Sequence, residues 1–342
     1  MRNHDARLHR LAEITLKKLR ELDRSRTIVL LPIGMIEAHG EHLPLGTDSI
    51  AVEALTSAAC AWLLDTDPDM HIVLMPTIPY GSDPIDLRRP DQFNKAGSVW
   101  IGTETLKAII TDLVGHMVRY GFTYIFPIGF HGGGLHNIAL GDVCAELRTQ
   151  YPNVVIDEPV GYVLAGGGME VMPGLSTLLG RTLTVQERVA LQGSVHASMF
   201  ETSMMLSLRP QLVDPDYLYL RSIEWRDVYK LEQWPGYIGS GPRHASPEVG
   251  AAVLRWRGVR AGALIYRAVK GEDLTHLPRH PAWEPDQLKE IPEDEREPHK
   301  ETTPELFLSP EDVARLQSEV DTKTGHDTDQ LDGNTEDTAD DA

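Results

Sequence analysis

The feature that most limits the possible folds is a repeated order of short apolar runs, each followed by a segment with helical periodicity. Residues 27–34 (TIVLLPIG) are almost entirely apolar, and residues 71–79 and 123–129 contain similar runs. A strand that is apolar on both faces is typical of a parallel sheet covered by helices on both sides. The sequence therefore predicts an α/β fold with three layers, α/β/α, around a mostly parallel central sheet.

Helical segments separate these runs. Residues 49–65 and 103–121 have apolar residues at helical spacing, and residues 139–150 continue the pattern after the third run. Thr47 or Asp48 is expected to cap the first of these helices, as threonine and aspartate often do. Residues 5–23 also space their leucines as a helix does, so the sequence predicts an amphipathic helix at the N-terminus.

Charge is distributed very unevenly along the chain. The net charge is −19, but residues 284–342 alone hold 20 acidic and 5 basic side chains. Because the rest of the chain is nearly balanced, it offers no concentrated basic face and predicts no nucleic-acid partner. Apolar residues become scarce after Pro281, so we predict a folded domain over residues 1–280 and an acidic, largely disordered tail over residues 281–342.

Targeting signals and cysteine spacing point to the compartment. The N-terminus lacks a charged segment followed by an apolar one, and no apolar run reaches the roughly 18 residues of a membrane span. Cys60 and Cys144 lie in apolar, helix-like segments without metal-ligand spacing, so free buried thiols are expected. These features predict a cytoplasmic protein without a membrane partner.

Metal-ligating residue types follow two of the apolar runs. Residues 37–49 (EAHGEHLPLGTDS) contain Glu37, His39 and Asp48, and His131 follows the run at residues 123–129. Ligands of open parallel sheets bind at the carboxyl ends of the strands, where both segments are expected. Carboxylates and imidazoles are ligands that zinc, manganese and iron accept. The spacing fits a metal site and, equally, a hydrogen-bonded polar loop that covers the sheet edge.

Residues 32–49 (PIGMIEAHGEHLPLGTDS) resemble the signature of the creatininase family of metal-dependent amidohydrolases. Three further segments agree in order: residues 77–81 (TIPYG), 196–206 (HASMFETSMML) and 236–250 (GYIGSGPRHASPEVG). The resemblance spans about residues 25–265. It implies a creatininase-like fold and a homo-oligomer, a hexamer in this family.

The resemblance also implies a site with two divalent ions, Zn, Mn or Fe. Glu37 and His39 would each bind one ion, and Asp48 would bridge the two. His196 matches the catalytic histidine of the family and would pass a proton to the leaving nitrogen. The resemblance implies Glu37, His39, Asp48 and His131 as metal ligands, and we predict Glu201 as a fifth.

One part of the family pattern differs in this chain. In creatininase a glutamate two residues beyond the histidine that matches His131 supplies a further ligand, and Gly133 occupies that position here. Either one ion lacks a ligand, or Glu201 or His136 replaces the glutamate. We favour Glu201, although a helix-capping role would also suit that carboxylate. His42 is expected to order the ligand loop through hydrogen bonds rather than to bind metal.

The implied reaction is hydrolysis of a small cyclic amide or formamide by a metal-bridging hydroxide that attacks the carbonyl carbon. Such an enzyme acts on C–N bonds other than ordinary peptide bonds. Family members hydrolyse creatinine, formamides of pyrimidine nucleotides or a peptide precursor of a redox cofactor, and others open an oxidised inositol ring. The alternatives are therefore a ring-opening hydrolase of a cyclic ketone, or a metal-binding scaffold that has lost catalysis.

Overall fold

The computed structural model describes residues 4, 6–88, 97–166, 171–228, 230–233 and 235–280. The strands are β1 (Leu8–Arg10), β2 (Thr27–Ile33), β3 (His71–Leu74), β4 (Tyr124–Gly129), β5 (Val155–Ile156), β6 (Ser194–His196) and β7 (Ile238–Gly239). The first five form one parallel sheet, in the spatial order β1-β3-β2-β4-β5. The two short strands β6 and β7 pair with each other in antiparallel orientation, apart from that sheet.

Helices follow most strands, as the alternation of the sequence predicts. The helix after β2 begins at Thr47 with Gly46 as its cap, one residue before the earlier of the two predicted caps. The helices are α1 (Leu16–Glu21), α2 (Thr47–Thr66), α3 (Thr103–Arg119), α4 (Gly134–Gln150), α5 (Val160–Val163), α6 (Met172–Leu179), α7 (Val185–Gln192), α8 (Met199–Leu208), α9 (Trp225–Val228) and α10 (Pro247–Val269).

The central strand β2 is buried on both faces. Ile28 and Leu30 belong to the apolar core that contains residues of α2, α8 and α10. Val29 and Leu31 belong to a second core, formed with residues of α3 and α4. This alternation follows from the period of two in a strand. The three-layer α/β/α architecture predicted from the apolar runs is thereby confirmed.

The predicted N-terminal helix over residues 5–23 is wrong in its first half. Residues Leu8–Arg10 form the edge strand β1, which pairs in parallel with β3 through Leu8 and Ile72. Only Leu16–Glu21 is an α-helix. The free edge of β3 offers hydrogen-bond partners that a sequence pattern does not reveal, and tertiary pairing of this kind overrides local periodicity.

The predicted acidic tail and the predicted homo-oligomer remain predictions. The acidic segment 281–342 lies outside the described residues, so the division into a domain and a tail stays a prediction, as does the homo-oligomer. Within the described part of the chain, no helix is both long and apolar enough to cross a bilayer. Cys60 and Cys144 are buried free thiols, as predicted.

Candidate metal centre

The fold brings the six predicted site residues together at the carboxyl edge of the sheet. Three follow the ends of strands: Glu37 and His39 come from the loop after β2, and His131 from the loop after β4. Asp48 lies in the first turn of α2 and Glu201 in the first turn of α8, where the helix dipole favours a carboxylate. His196 ends β6.

One set of side chains contains Glu37, Asp48 and His131. Nδ1 of His131 lies 3.0 Å from Oε2 of Glu37 and 3.1 Å from Oδ2 of Asp48. All three residues are at most 3% exposed. They offer two carboxylates and one imidazole to a common point, a donor set that suits a divalent ion.

A second set contains His39, Asp48 and Glu201. Nε2 of His39 lies 3.6 Å from Oδ1 of Asp48 and 3.7 Å from Oε1 of Glu201. Asp48 therefore belongs to both sets and turns a different oxygen towards each. That is the position of a bridging carboxylate, the role that the resemblance implies for Asp48.

The three histidines share one hydrogen-bonding arrangement. His131 donates from Nε2 to the carbonyl oxygen of Asp83, at 3.0 Å. His39 contacts the carbonyl oxygen of Glu37 through Nδ1 at 3.0 Å, and His196 contacts that of Ala38 through Nε2 at 2.7 Å. Because a carbonyl oxygen only accepts, each outer nitrogen carries a proton and the inner nitrogen is the one that faces the site. Metal-ligating histidines are usually oriented in this way.

The inner atoms of the site lack ordinary partners. Oε2 of Glu37, Nε2 of His39 and Oδ2 of Asp48 are buried without a hydrogen bond. Lone pairs of imidazoles and carboxylates that face one another repel unless a proton or a cation lies between them, and buried polar groups are otherwise nearly always paired. The residues present thus fit a pair of divalent ions.

Electrostatics reinforces this arrangement. Burial opposes charge on His39, but Asp48 and Glu201 raise its pKa well above the usual value. Glu37 and Asp48 likewise raise the pKa of His131 against burial. Burial would raise the pKa of Asp48, yet His39 and His131 hold it well below its usual range. Asp48 therefore stays ionised and favours positive charge on the histidines beside it.

Backbone amides fix the two glutamates. Ile85 donates its N–H to Oε1 of Glu37 at 2.5 Å, and Ala197 donates to Oε2 of Glu201 at 2.5 Å. In each glutamate one oxygen is held in this way, and the other faces the imidazoles. Ala197 reaches its position with a φ of 48°, in the left-handed region that a residue with a side chain seldom adopts.

The two histidines that the sequence left open lie beside the site. His136 belongs to none of the ligand groups in the described part of the chain. Its Nδ1 accepts a hydrogen bond from the N–H of Ser82 at 3.3 Å, and burial lowers its pKa to about 3. Nε2 of His42 contacts Oγ1 of Thr202 at 3.1 Å and so links the ligand loop to α8.

Sequence reasoning missed the loop at residues 82–85, which contacts the site through its backbone. It also missed that His196 belongs to a third group of possible metal ligands, with Glu37 and His39. Nδ1 of His196 lies 4.0 Å from Oε2 of Glu37. Backbone contacts carry no residue-type signal, so no motif in the sequence could have indicated the loop.

Comparison with known proteins agrees with this geometry. Residues 12–265 match the family described as Creatininase: Creatinine amidohydrolase. The mycofactocin precursor peptide peptidase of Mycobacterium ulcerans (strain Agy99) is 24% identical over 210 residues, which cover 61% of this chain and 69% of that protein. The creatinine amidohydrolase of Pseudomonas putida is 25% identical over 194 residues, 55% of this chain and 67% of that protein.

Solved structures show the same fold. A putative creatinine amidohydrolase from Bacteroides fragilis NCTC 9343 superposes with a TM-score of 0.54 at 20% identity and covers 78% of this chain and 98% of its own. A structure described as "Creatininase Mn" gives a TM-score of 0.52 at 21% identity, covering 77% and 98%. From the family match over most of its length, we conclude that the chain belongs to the creatininase family of hydrolases.

Proposed function

We propose that this protein is a hydrolase that uses two divalent metal ions to cleave a C–N bond in a small cyclic amide or formamide. The observation that carries the proposal is the position of Asp48, whose two carboxylate oxygens face two different sets of buried ligands. Membership of the family supports the reaction type and leaves the substrate open.

The chain's own residues divide into two ligand sets in this proposal. Glu37 and His131 would hold one ion, His39 and Glu201 the other, and Asp48 would join both. When bound, two such ions supply Lewis acidity for a carbonyl oxygen and make a nearby water more acidic. Glu201, rather than His136, would bind the second ion, because of these two residues only Glu201 belongs to one of the sets.

His196 would move the proton. Its Nε2 is fixed by the carbonyl of Ala38, so Nδ1 faces the interior with a free lone pair. An imidazole can accept a proton from water at this atom and donate it to the leaving nitrogen. In this role His196 contacts the reacting atoms without holding an ion.

The exposed fractions of the side chains indicate from which side a substrate arrives. The side chain of Glu201 is 16% exposed and that of His196 is 10% exposed. Those of His39, Asp48, His131 and Glu37 are between 0% and 4%. A substrate would therefore meet Glu201 and His196 first, and the proton carrier would lie next to the leaving group.

A second candidate is the same reaction on an amide bond of a peptide. The similarity to a mycofactocin precursor peptide peptidase favours it. In that case the catalytic residues would keep their roles, and the site would have to accommodate a peptide substrate beside Glu201 and His196. Short peptides therefore belong in any substrate screen.

The test combines metal analysis with a substrate screen. The purified protein is loaded with Zn²⁺ or Mn²⁺, its bound ions are counted, and it is offered creatinine, formylaminopyrimidines, short peptides and inosose-type ketones. Two ions per chain and turnover of a cyclic amide or formamide are the expected result. Cleavage of peptides alone would select the second candidate, and ketone opening alone would refute both. Bound metal without any turnover would indicate a scaffold.

A further inference from the structure

A short loop between β3 and α3, residues 82–85, contacts two of the proposed ligands at once. The N–H of Ile85 donates to Oε1 of Glu37, and the carbonyl oxygen of Asp83 accepts from Nε2 of His131. Both contacts come from the backbone, so the conformation of the loop decides whether they form. Glu37 and His131 belong to the same proposed ligand set, so the loop contacts two of its three members.

Asp83 fixes this conformation. Its φ is 61°, in the left-handed region that aspartate and asparagine tolerate better than other residues with a side chain. Its Oδ2 accepts a hydrogen bond from the N–H of Leu135, in the first turn of α4, at 2.8 Å. The residue is only 4% exposed. The carboxylate thus ties the loop to α4, and the carbonyl of the same residue is left pointing at His131.

Gly133 shows how closely this contact is packed. A Cβ atom built at Gly133 would lie 2.4 Å from Nε2 of His131 and 2.5 Å from the carbonyl oxygen of Asp83. A Cβ atom at the neighbouring Gly132 would meet nothing within 4 Å. Neither glycine adopts a positive φ. Any side chain at position 133 would therefore compete with the hydrogen bond between Asp83 and His131.

We infer that Asp83 is a positioning residue that holds His131 with its proton on Nε2 and its Nδ1 lone pair directed at Glu37 and Asp48. Gly133 leaves the space in which this contact forms. A carbonyl behind a metal-ligating imidazole sets its orientation and raises its basicity. The inference rests on the proposed metal-binding function and assigns to this chain a support for one of its two ions.

Two pairs of variants test the inference by equilibrium binding of Zn²⁺ to the full-length protein. Gly133→Ala is compared with Gly132→Ala, and Asp83→Ala with Asp83→Asn, in which the amide oxygen can still accept from Leu135. We expect Gly133→Ala and Asp83→Ala to bind one of the two ions about 10- to 100-fold more weakly, as losses behind a metal ligand typically do. The Gly132→Ala and Asp83→Asn variants should bind both ions as the wild type does.

A second measurement separates positioning from general destabilisation. Proton NMR of the zinc-loaded protein should show the hydrogen-bonded Nε2–H of His131 at low field in the wild type and in Asp83→Asn. The resonance should be lost or shifted in Gly133→Ala, even where thermal unfolding is unchanged.

Equal zinc affinities for Gly133→Ala and Gly132→Ala would overturn the inference, whether or not Asp83→Ala folds. A wild-type protein that binds no zinc would instead refute the proposed function itself.

Discussion

Histidines are buried at both ends of the parallel sheet, with opposite electrostatic surroundings. At the carboxyl end, His39 and His131 face the carboxylates of Asp48 and its neighbours, which raise their pKa values against burial. Towards the amino end, His9 in β1 stacks on His71 in β3, with ring centroids 5.3 Å apart. Burial, helped by Lys18, lowers the pKa of His9 to about 4.

The difference shows that burial alone does not decide what a histidine does. The two histidines at the amino end are hydrogen-bonded to each other, since Nε2 of His9 and Nδ1 of His71 lie 3.1 Å apart. At the carboxyl end the inner nitrogens face oxygens that cannot donate. The two histidines at the amino end are paired while both are neutral. The histidines at the carboxyl end need a proton or a cation between their inner nitrogens and the carboxylates.

The largest effect is expected from removing the shared carboxylate. Asp48→Ala takes a ligand from both sets, so we expect at least about a 100-fold loss of affinity at both sites and the loss of more than one ion per chain. Metal content after dialysis measures this. Glu53→Ala, an exposed carboxylate on the same helix, is the control. Unchanged metal content in Asp48→Ala would contradict a bridging role for Asp48.

His196→Gln should separate catalysis from metal binding. Loss of a proton-transferring residue typically slows a reaction by about 10²- to 10⁴-fold. Because the proposed ligand sets do not include His196, both ions should remain bound. Turnover of the best substrate and metal content are measured on the same sample. Should the variant lose an ion as well, His196 is a ligand within the third group, with Glu37 and His39.

Glu201→Gln should affect only one ion. The change keeps the shape of the side chain and the hydrogen bond from Ala197 but removes the charge that faces His39. We expect about a 10- to 100-fold weaker second site and an intact first site in a zinc titration. In His136→Ala, both sites should persist. The opposite pattern would make His136 the ligand and leave Glu201 a capping residue.

The smallest effect concerns pH and the histidine pair at the amino end. The pKa of folded His9 lies below that of the unfolded chain, so the unfolded state binds more protons between about pH 6.5 and 4. His9 therefore does not reduce the free energy of unfolding above this pH range, and it reduces it progressively as the pH is lowered through the range. The share of His9 is on the order of 1 kcal/mol.

Urea midpoints at pH 7 and pH 5 measure this contribution. His9→Gln should reduce the difference between the two midpoints, whereas His116→Gln, on the exposed face of α3, should leave it unchanged. A His9→Gln variant whose two midpoints differ by as much as those of the wild type would show that the pair at the amino end is not held neutral. The contrast between the two ends of the sheet would then be lost.

The fold and most residues of the candidate metal centre could be predicted from the sequence because both depend on short-range patterns. Ile28 to Ile33 lie in an unbroken apolar run, which only a strand covered on both faces can use. Glu37 and His39 follow that run directly. The N-terminal segment shows the limit, since Leu8 pairs with Ile72, on a strand 64 residues away whose edge would otherwise be open.

The sequence by itself determined the parallel α/β architecture, the family and the residue types at the carboxyl edge of the sheet. Only the tertiary structure decided how those residues divide. It placed Asp48 between two candidate ligand sets, Glu201 beside His39, His136 outside both sets, and the carbonyl of Asp83 behind His131. These outcomes depend on distances between atoms of different loops and on backbone carbonyl and amide groups, which residues of every type carry with little difference. The order of residue types along the chain specifies neither the distances nor the backbone contacts.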